Sequence, residues 1–267
     1  MTREGLLLLD FDGTLCLGDD PVLFYAEQAD RLLAEKGLGL PAGGVRGAVQ
    51  RAFGQNTLLA PEIRYDDAGR PSGVDREPVR AEGPAKIKAH PTSWPLQDGY
   101  QLVQLLAVQS GLTDEEAGTA FREGRKALLA RGLEHSDVHA PEGAHDLLAG
   151  LRKHAGVVLI TNSPAEAFGP WLEHLGLDGS FDAVINGAQK PFGMPAAVRA
   201  ARERSGVTAA PGQIVSVGDI WRNDLEHVAA LGGTTVLIDR FSTGLGEPDH
   251  RVASWEEAAS ALQDLTV

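Results

Sequence analysis

Short runs of consecutive apolar residues recur along the chain, and a polar or glycine-containing turn follows each of them. They cover residues 6–9, 157–160, 183–185, 214–217 and 235–238. Unbroken apolar runs of this length are typical of strands that are buried on both faces of a parallel sheet. Because helical patterns separate the later runs, the sequence predicts an α/β fold with a doubly wound parallel sheet.

Apolar residues at helical spacing occupy the segments between the later strands. The predicted helices cover residues 164–175, 194–204 and 224–231, and each ends at or near a glycine. Pro164 would then stand in the first turn of its helix, a position that suits proline because that turn has no acceptor for its missing N–H.

Residues 19–140 follow a different pattern, since this part of the sequence contains no comparable apolar run. Helices are predicted at residues 21–36, 45–53, 100–109 and 114–130, the last opening with a capping box of Thr113 and Glu116. Residues 61–95 are rich in proline, glycine and charge, which predicts a long loop, with or without a short hairpin, or a flexible flap. We therefore expect a core domain of residues 1–18 and 141–267 and a mainly helical insert of residues 19–140.

Charge and composition narrow the range of partners. The formal net charge is −13, so an anionic ligand must be captured locally by a few cations, backbone N–H groups or a metal. This argues against nucleic acid as a partner. The single cysteine, Cys16, suits a reducing cytosol, and the early apolar run is too short for a signal peptide or a membrane span. We expect a cytoplasmic protein that does not interact with membranes; its oligomeric state stays open.

Two carboxylates follow the first predicted strand. Asp10 and Asp12 stand two residues apart at its carboxyl end, where open α/β sheets bind ligands. Two such carboxylates are both ionised at low cost only beside a cation, and Gly13 lets the backbone turn and expose N–H groups to an anion. In isolation, such a pair of carboxylates would more often be a helix cap with an acidic turn.

The fourth predicted strand also ends in carboxylates. Asp219 and Asp224 follow it, so they belong at the same sheet edge as Asp10. Mg²⁺ prefers oxygen ligands, usually a few carboxylates completed by water and phosphate oxygens, and Asp10 and Asp219 could supply them. Asp224 would support that shell, although it could also simply cap the following helix.

Two further groups are suited to an anion. Thr161 and Asn162 follow the second strand, where a hydroxyl and turn N–H groups form an anion pocket to which the dipole of the predicted helix at Pro164 would add. Lys190, ahead of Pro191, is a compact charge suited to a phosphate or a nucleophilic carboxylate. Alone, each of these two signals would also fit an ordinary helix start or a solvated surface lysine.

The order and placement of these elements resemble the four motifs of the haloacid dehalogenase (HAD) superfamily. Residues 10–15 match the first motif, Thr161 the second, Lys190 the third and residues 218–224 the fourth. The resemblance covers residues 4–18 and about 141–262, and residues 248–257 are similar to the last strand and helix of phosphoglycolate-phosphatase-like members. It implies a Rossmann-like HAD core with a helical C1 cap inserted after the first strand.

The resemblance further implies a Mg²⁺-dependent phosphatase that hydrolyses a small phosphorylated metabolite through an aspartyl-phosphate intermediate. Asp10 would be the nucleophile and a metal ligand. Asp12 would be general acid and then general base, with its backbone carbonyl on the metal. Asp219 would ligate Mg²⁺, and Asp224 would support the metal shell.

The same resemblance assigns the phosphate contacts. Thr161 and the N–H of Asn162 would hold the transferring phosphoryl oxygens, together with the turn that contains Phe11 and Gly13. Lys190 would offset the charge on Asp10 and on the phosphoryl group.

The carboxyl group at Asp12 distinguishes between reactions within the superfamily. A leaving alkoxide needs a proton donor and a leaving halide does not, so Asp12 favours phosphate esters over haloacids. A phosphomutase that uses the same motifs is one alternative. A non-catalytic module that accepts phosphate or binds a partner is another, which the acid at Asp12 and the large insert disfavour.

Substrate specificity is expected to reside in the insert. Composition alone suggests the following candidates: Arg51, Gln55, Arg64, Trp94 and Tyr100. Near the motifs, Cys16 and Leu17 are candidates for the entrance to the cap but would equally suit the core. Trp221 and Arg222 add bulk to the fourth-motif turn, where they would suit either a face toward the cap or an ordinary surface position.

Overall fold

The computed structural model describes residues 3–58 and 96–265. The loop predicted over residues 61–95 lies outside the described residues. The chain divides into two compact units, one of Met1–Gly18 with Val138–Val267 and the other of Asp19–Asp137. The first unit contains the sheet and the second is helical.

In the described part of the chain, the sheet has six parallel strands. They are β1 (Gly5–Leu9), β2 (Ala155–Ile160), β3 (Ala183–Ile185), β4 (Ile214–Gly218), β5 (Thr234–Ile238) and β6 (His250–Val252). Their order is β3-β2-β1-β4-β5-β6, so the chain reverses direction across the sheet between β1 and β4. Ligands of doubly wound sheets bind outside the carboxyl ends of the strands at such a switch point. The predicted fold class is confirmed.

Helices of the second unit are α1 (Asp20–Glu35), α2 (Gly44–Gly54), α3 (Gly99–Gln109) and α4 (Asp114–Arg131). The capping box that opens α4 is present, with the Thr113 hydroxyl accepting from Glu116 N–H and the Glu116 carboxylate accepting from Thr113 N–H. Each of these helices begins and ends within a residue of its predicted bounds.

The described residues of the first unit form five further α-helices: α5 (Ala144–Leu151), α6 (Gly169–His174), α7 (Met194–Ser205), α8 (Glu226–Leu231) and α9 (Trp255–Leu265). They lie on both faces of the sheet. The buried face of α7 packs Val198 and Ala201 into one cluster with Leu6 and Leu8 of β1. This packing buries side chains of β1, and the strand order places the carboxyl end of β1 at the switch point.

The helix predicted over residues 164–175 is wrong in its start, because α6 begins only at Gly169. The carbonyl oxygens of Ser163 and Pro164 accept from the Asn186 side chain at 3.3 and 3.5 Å, and the Ser163 carbonyl also accepts from Gly187 N–H at 2.9 Å. These acceptors are therefore not used by a helix ladder. Pro164 stands outside any helix, so no dipole at Pro164 supports the predicted anion pocket.

One ion-pair network lies at the amino ends of β1, β2 and β3. The Asp182 carboxylate accepts from Val157 N–H at 2.8 Å, from Arg3 at 2.7 Å and from Arg152 at 3.0 Å. Burial tends to raise the pKa of Asp182, but these hydrogen bonds outweigh burial and lower it below its ordinary value. The ionised form of Asp182 therefore stabilises the fold.

We expect Asp182→Asn to lower the free energy of unfolding by about 1–3 kcal/mol at neutral pH, because charge-assisted bonds to a mostly buried acceptor are lost. Because the pKa of Asp182 is lowered in the folded state, the extra stability of the wild type over the variant is complete above the unfolded-state pKa. This extra stability disappears as the pH falls through the folded-state pKa. Urea unfolding over a series of pH values measures both effects. The exposed Asp178→Asn is the control, and equal stabilities of the two variants would contradict this role of Asp182.

In the part of the chain that the structure describes, none of the helices combines the length and the apolar character that a membrane crossing requires.

Candidate active site

Asp10 lies directly after β1 at the carboxyl edge of the sheet. Its N–H donates to the Val217 carbonyl at 3.0 Å, which extends the β1–β4 pairing by one residue and fixes the backbone position of Asp10. The Thr14 hydroxyl donates to Asp10 Oδ2 at 3.3 Å. Only 8% of Asp10 is exposed. The carboxylate is therefore held in a largely water-excluded position at the switch point.

Asp219 follows β4, and its carboxylate lies against Gly13. A Cβ atom at position 13 would stand 2.1 Å from Asp219 Oδ2, and Gly13 has a φ of +83°. Only glycine therefore fits here, for its conformation and for its lack of a side chain. The N–H of Gly13 donates to the Cys16 carbonyl at 3.0 Å, so the group predicted to face a phosphate is engaged inside the loop.

Asp224 belongs to a π-helical turn, Trp221–Leu225, that follows Asp219. Its Oδ2 accepts from Ile220 N–H at 3.0 Å, and its carbonyl accepts from the Ser216 hydroxyl at 2.7 Å. Such turns are rare in proteins and occur often at functional sites. The turn aims the Asp224 carboxylate back toward the sheet edge.

Asp10, Asp219 and Asp224 form one buried cluster. Each offers a carboxylate oxygen, and these three oxygens lie within 4.8 Å of one another. The Lys190 ammonium lies 2.5 Å from Asp10 Oδ1 and 2.6 Å from Asp224 Oδ1. With all four groups ionised, three negative charges and one positive charge give the cluster a net charge of −2. Hard oxygen donors with this charge balance fit a divalent cation such as Mg²⁺.

The electrostatics of the cluster favour such a cation. Burial raises the pKa of Asp10 to about 7; Lys190 opposes the rise, while Asp224 and Asp12 add to it. Burial tends to lower the pKa of Lys190, but attraction to Asp10 and Asp224 raises it above its ordinary value. Lys190 therefore stays charged, and a cation beside Asp10 would favour the carboxylate that a nucleophile must be.

The turn after β2 carries Thr161, Asn162 and Ser163. Thr161 is buried, and its hydroxyl oxygen accepts from Ser163 N–H at 3.0 Å. The Asn162 side chain forms two hydrogen bonds with the backbone of Lys190. Its Oδ1 accepts from Lys190 N–H at 2.7 Å, and its Nδ2 donates to the Lys190 carbonyl at 3.2 Å. The second and third predicted motifs are therefore joined directly, an arrangement that sequence reasoning did not anticipate.

Asp12 is linked to the same turn. The Ser163 hydroxyl donates to Asp12 Oδ2 at 2.8 Å, across 151 positions of sequence. Sequence reasoning missed Ser163, and its only available signal was its place two residues after Thr161.

The side chain of Phe11 is fully buried against Phe168, with ring centroids 4.7 Å apart, so only its backbone can serve a phosphate.

The structure thus brings the predicted residues of the first, third and fourth motifs into direct contact and ties the second motif to them. Two of the candidates for substrate specificity, Tyr100 and Arg51, contact residues of the helical unit itself. Tyr100 stacks on Tyr25 at 6.4 Å, and Arg51 donates to the Ala42 carbonyl at 2.9 Å, which are packing contacts within the helical unit. Arg64 and Trp94 lie outside the described residues. Trp221 lies directly against Gly246 of the loop after β5.

A parallel sheet with a carboxylate cluster and a buried lysine at its carboxyl edge defines a Rossmann-like enzyme core. Residues 5–232 match the model of the haloacid dehalogenase-like hydrolase family. The chain belongs to this family, which confirms the superfamily predicted from the four motifs.

Individual relatives agree with this assignment. A phosphoglycolate phosphatase of Pseudomonas putida is 31% identical over 140 residues, which are 51% of this chain and 50% of that protein. The chain therefore spans about half the length of this curated relative. The structure of a predicted phosphoglycolate phosphatase from Haemophilus somnus 129pt has a TM-score of 0.56 at 17% identity, covering 99% of each chain. A haloacid dehalogenase-like family hydrolase from Xanthomonas campestris has a TM-score of 0.51 at 17% identity, covering 100% of this chain and 95% of its own. The two structures share the fold.

Proposed function

We propose that this protein is a Mg²⁺-dependent phosphatase that hydrolyses a small phosphate monoester with Asp10 as the nucleophile. The observation that carries the proposal is the buried cluster of Asp10, Asp219 and Asp224 around the Lys190 ammonium. The similarity to a phosphoglycolate phosphatase over half of the chain supports a phosphatase.

Asp10 and Asp219, with the backbone carbonyl of Asp12, would hold the metal ion, and Asp224 would support them. When bound, Mg²⁺ supplies positive charge that lets Asp10 stay ionised beside a phosphate and neutralises charge on the transferring group. Lys190 supplies the remaining positive charge, held against Asp10 and Asp224. Phosphoryl transfer asks mainly for positioning and charge neutralisation, which these groups provide.

The chain's own residues divide the chemistry in two steps. Asp10 attacks phosphorus, the bond to the leaving oxygen breaks, and Asp12 gives that oxygen its proton. Asp12, now ionised, takes a proton from water as the water attacks the aspartyl-phosphate, which frees Asp10 and phosphate. The Thr161 hydroxyl and the N–H groups of Phe11 and Asn162 hold the phosphoryl oxygens in both steps.

The helical unit Asp19–Asp137 is inserted between β1 and β2 of the core, and we assign it the role of a cap that selects the substrate. A phosphomutase is the competing function, because transfer to a second hydroxyl group uses the same groups. The two differ in the acceptor: a phosphatase passes the phosphoryl group to water.

The test is phosphate release from a panel of phosphorylated metabolites that includes phosphoglycolate, with and without Mg²⁺. We expect release from at least one small monoester, a fall of at least about tenfold on addition of EDTA, and recovery with excess Mg²⁺. Undiminished release after exhaustive EDTA treatment would contradict the metal assignment. Conversion of a sugar phosphate to its isomer without phosphate release would establish the mutase instead.

A further inference from the structure

The Ser163 hydroxyl is a fixed hydrogen-bond donor in the turn after β2. Ser163 is fully buried, and its backbone is pinned on both sides: its N–H donates to the Thr161 hydroxyl oxygen at 3.0 Å, and its carbonyl accepts from Gly187 N–H at 2.9 Å. Its hydroxyl donates to Asp12 Oδ2 at 2.8 Å. A buried donor on a fixed backbone constrains whatever it binds.

Asp12 needs such a constraint. It stands on the turn after β1 and is only partly buried, whereas Asp10 is enclosed. The side chain of an aspartate has three staggered χ1 rotamers, and only a rotamer that points the carboxyl group at the leaving oxygen can deliver a proton. A bond from a neutral donor to a carboxylate is strong enough to select one of them.

The bond also distinguishes the two oxygens of Asp12. Because the Ser163 hydroxyl hydrogen lies on Oδ2, the proton of the acid form is better placed on Oδ1. After that proton has left, the hydroxyl keeps stabilising the carboxylate through Oδ2. The same contact therefore serves Asp12 as an acid and then as a base.

We infer that Ser163 is a positioning residue that orients Asp12 for proton transfer to the leaving group. This inference rests on the proposed phosphatase function. Ser163 contacts neither phosphate nor metal in the proposed mechanism; it acts through Asp12. A purely structural role for its hydroxyl, that of satisfying a buried polar atom, is the competing explanation.

The two explanations differ in how the effect of Ser163→Ala depends on the leaving group. An alkyl phosphate such as glycerol phosphate releases a strongly basic alkoxide, which needs the Asp12 proton, whereas p-nitrophenyl phosphate releases a weakly basic phenolate. The ratio kcat/KM reports every step up to departure of the leaving group, so hydrolysis of the aspartyl-phosphate does not enter it. A misplaced acid lowers kcat/KM for the alkyl ester selectively.

We expect Ser163→Ala to lower kcat/KM about tenfold or more for glycerol phosphate and less than about threefold for p-nitrophenyl phosphate, since general acid catalysis is needed mainly by the alkyl ester. Ser163→Thr keeps the hydroxyl and is expected to bring the ratio of the two values back toward wild type. Ser205→Ala is the matched control: this buried serine of α7 donates to the Arg202 carbonyl, and we expect its loss to change neither value.

Thermal unfolding of each variant is measured first, and Ser163→Cys, which keeps the volume and weakens the donor, replaces Ser163→Ala if the latter does not fold. Equal losses on both esters, or no loss, in an active protein would overturn the positioning role and leave the phosphatase proposal standing. If the wild type does not hydrolyse glycerol phosphate, an alkyl phosphate that it hydrolyses in the metabolite panel takes its place. Absence of phosphate release by the wild type from both esters and from the whole panel would overturn the phosphatase proposal, and the role of Ser163 with it.

Discussion

Replacing Asp10 with asparagine is expected to abolish turnover, with kcat falling by roughly four orders of magnitude or more, because an amide cannot form the aspartyl-phosphate. The side chain keeps its size, so packing around the end of β1 should persist. Rapid acid quenching with a radiolabelled substrate should trap a covalent phosphoenzyme in the wild type and none in Asp10→Asn.

The control for this variant is Asp146→Asn, which removes an exposed carboxylate in the first turn of α5. It should keep wild-type kcat and the phosphoenzyme signal. Circular dichroism and thermal unfolding establish that both variants are folded. Wild-type turnover by Asp10→Asn would exclude Asp10 as the nucleophile and remove the basis of the proposed mechanism.

The second large effect is expected for Gly13→Ala. The added Cβ would stand 2.1 Å from Asp219 Oδ2 and 2.8 Å from Asp219 Cγ, so the Asp219 carboxylate or the Gly13 backbone must move. Either movement changes the position of Asp219 relative to Asp10 and so disturbs the cluster of three carboxylates. We expect a loss of roughly a hundredfold in apparent Mg²⁺ affinity or in activity, the upper range for disturbed support of a metal site. Phosphate release titrated with Mg²⁺ measures it.

Gly179→Ala is the matched control for backbone strain. Gly179 has a φ of +72°, close to that of Gly13, and nothing lies within 4 Å of a Cβ built there. It should therefore share the cost of a left-handed alanine, about 1 kcal/mol, without touching Asp219. If the two variants respond alike to Mg²⁺, the close approach of Gly13 to Asp219 has no role in the site.

Much of the core could be predicted because its signals are local. The run at residues 6–9 is buried on both faces, as β1 is, and the polar residue after it begins the site. The capping box at Thr113 likewise needs only residues three positions apart. Helices without such markers were missed: α5 (Ala144–Leu151) was not predicted.

The start of α6 depends on residues that are distant in the sequence, and local patterns therefore do not predict it. Apolar spacing over residues 164–175 suits a helix, but the carbonyl oxygens of Ser163 and Pro164 are taken by Asn186 and Gly187 from beyond β3. The competing partners come from another part of the chain, so no pattern within the segment reveals them. The same holds for the Asn162 side chain, which clasps Lys190 instead of only lining a pocket.

The sequence by itself determined the class of fold, the family and the identity of the acidic and basic side chains at the strand ends. These features are predictable because the signals for a buried strand and for the turn after it lie in adjacent residues. Only the tertiary structure decided which of these groups meet. Lys190 contacts Asp10 across 180 positions and Ser163 contacts Asp12 across 151, and both contacts depend on the strand order that places β3, β2 and β1 side by side. Sheet order is a property of long-range packing, so the contacts it creates have no local signature.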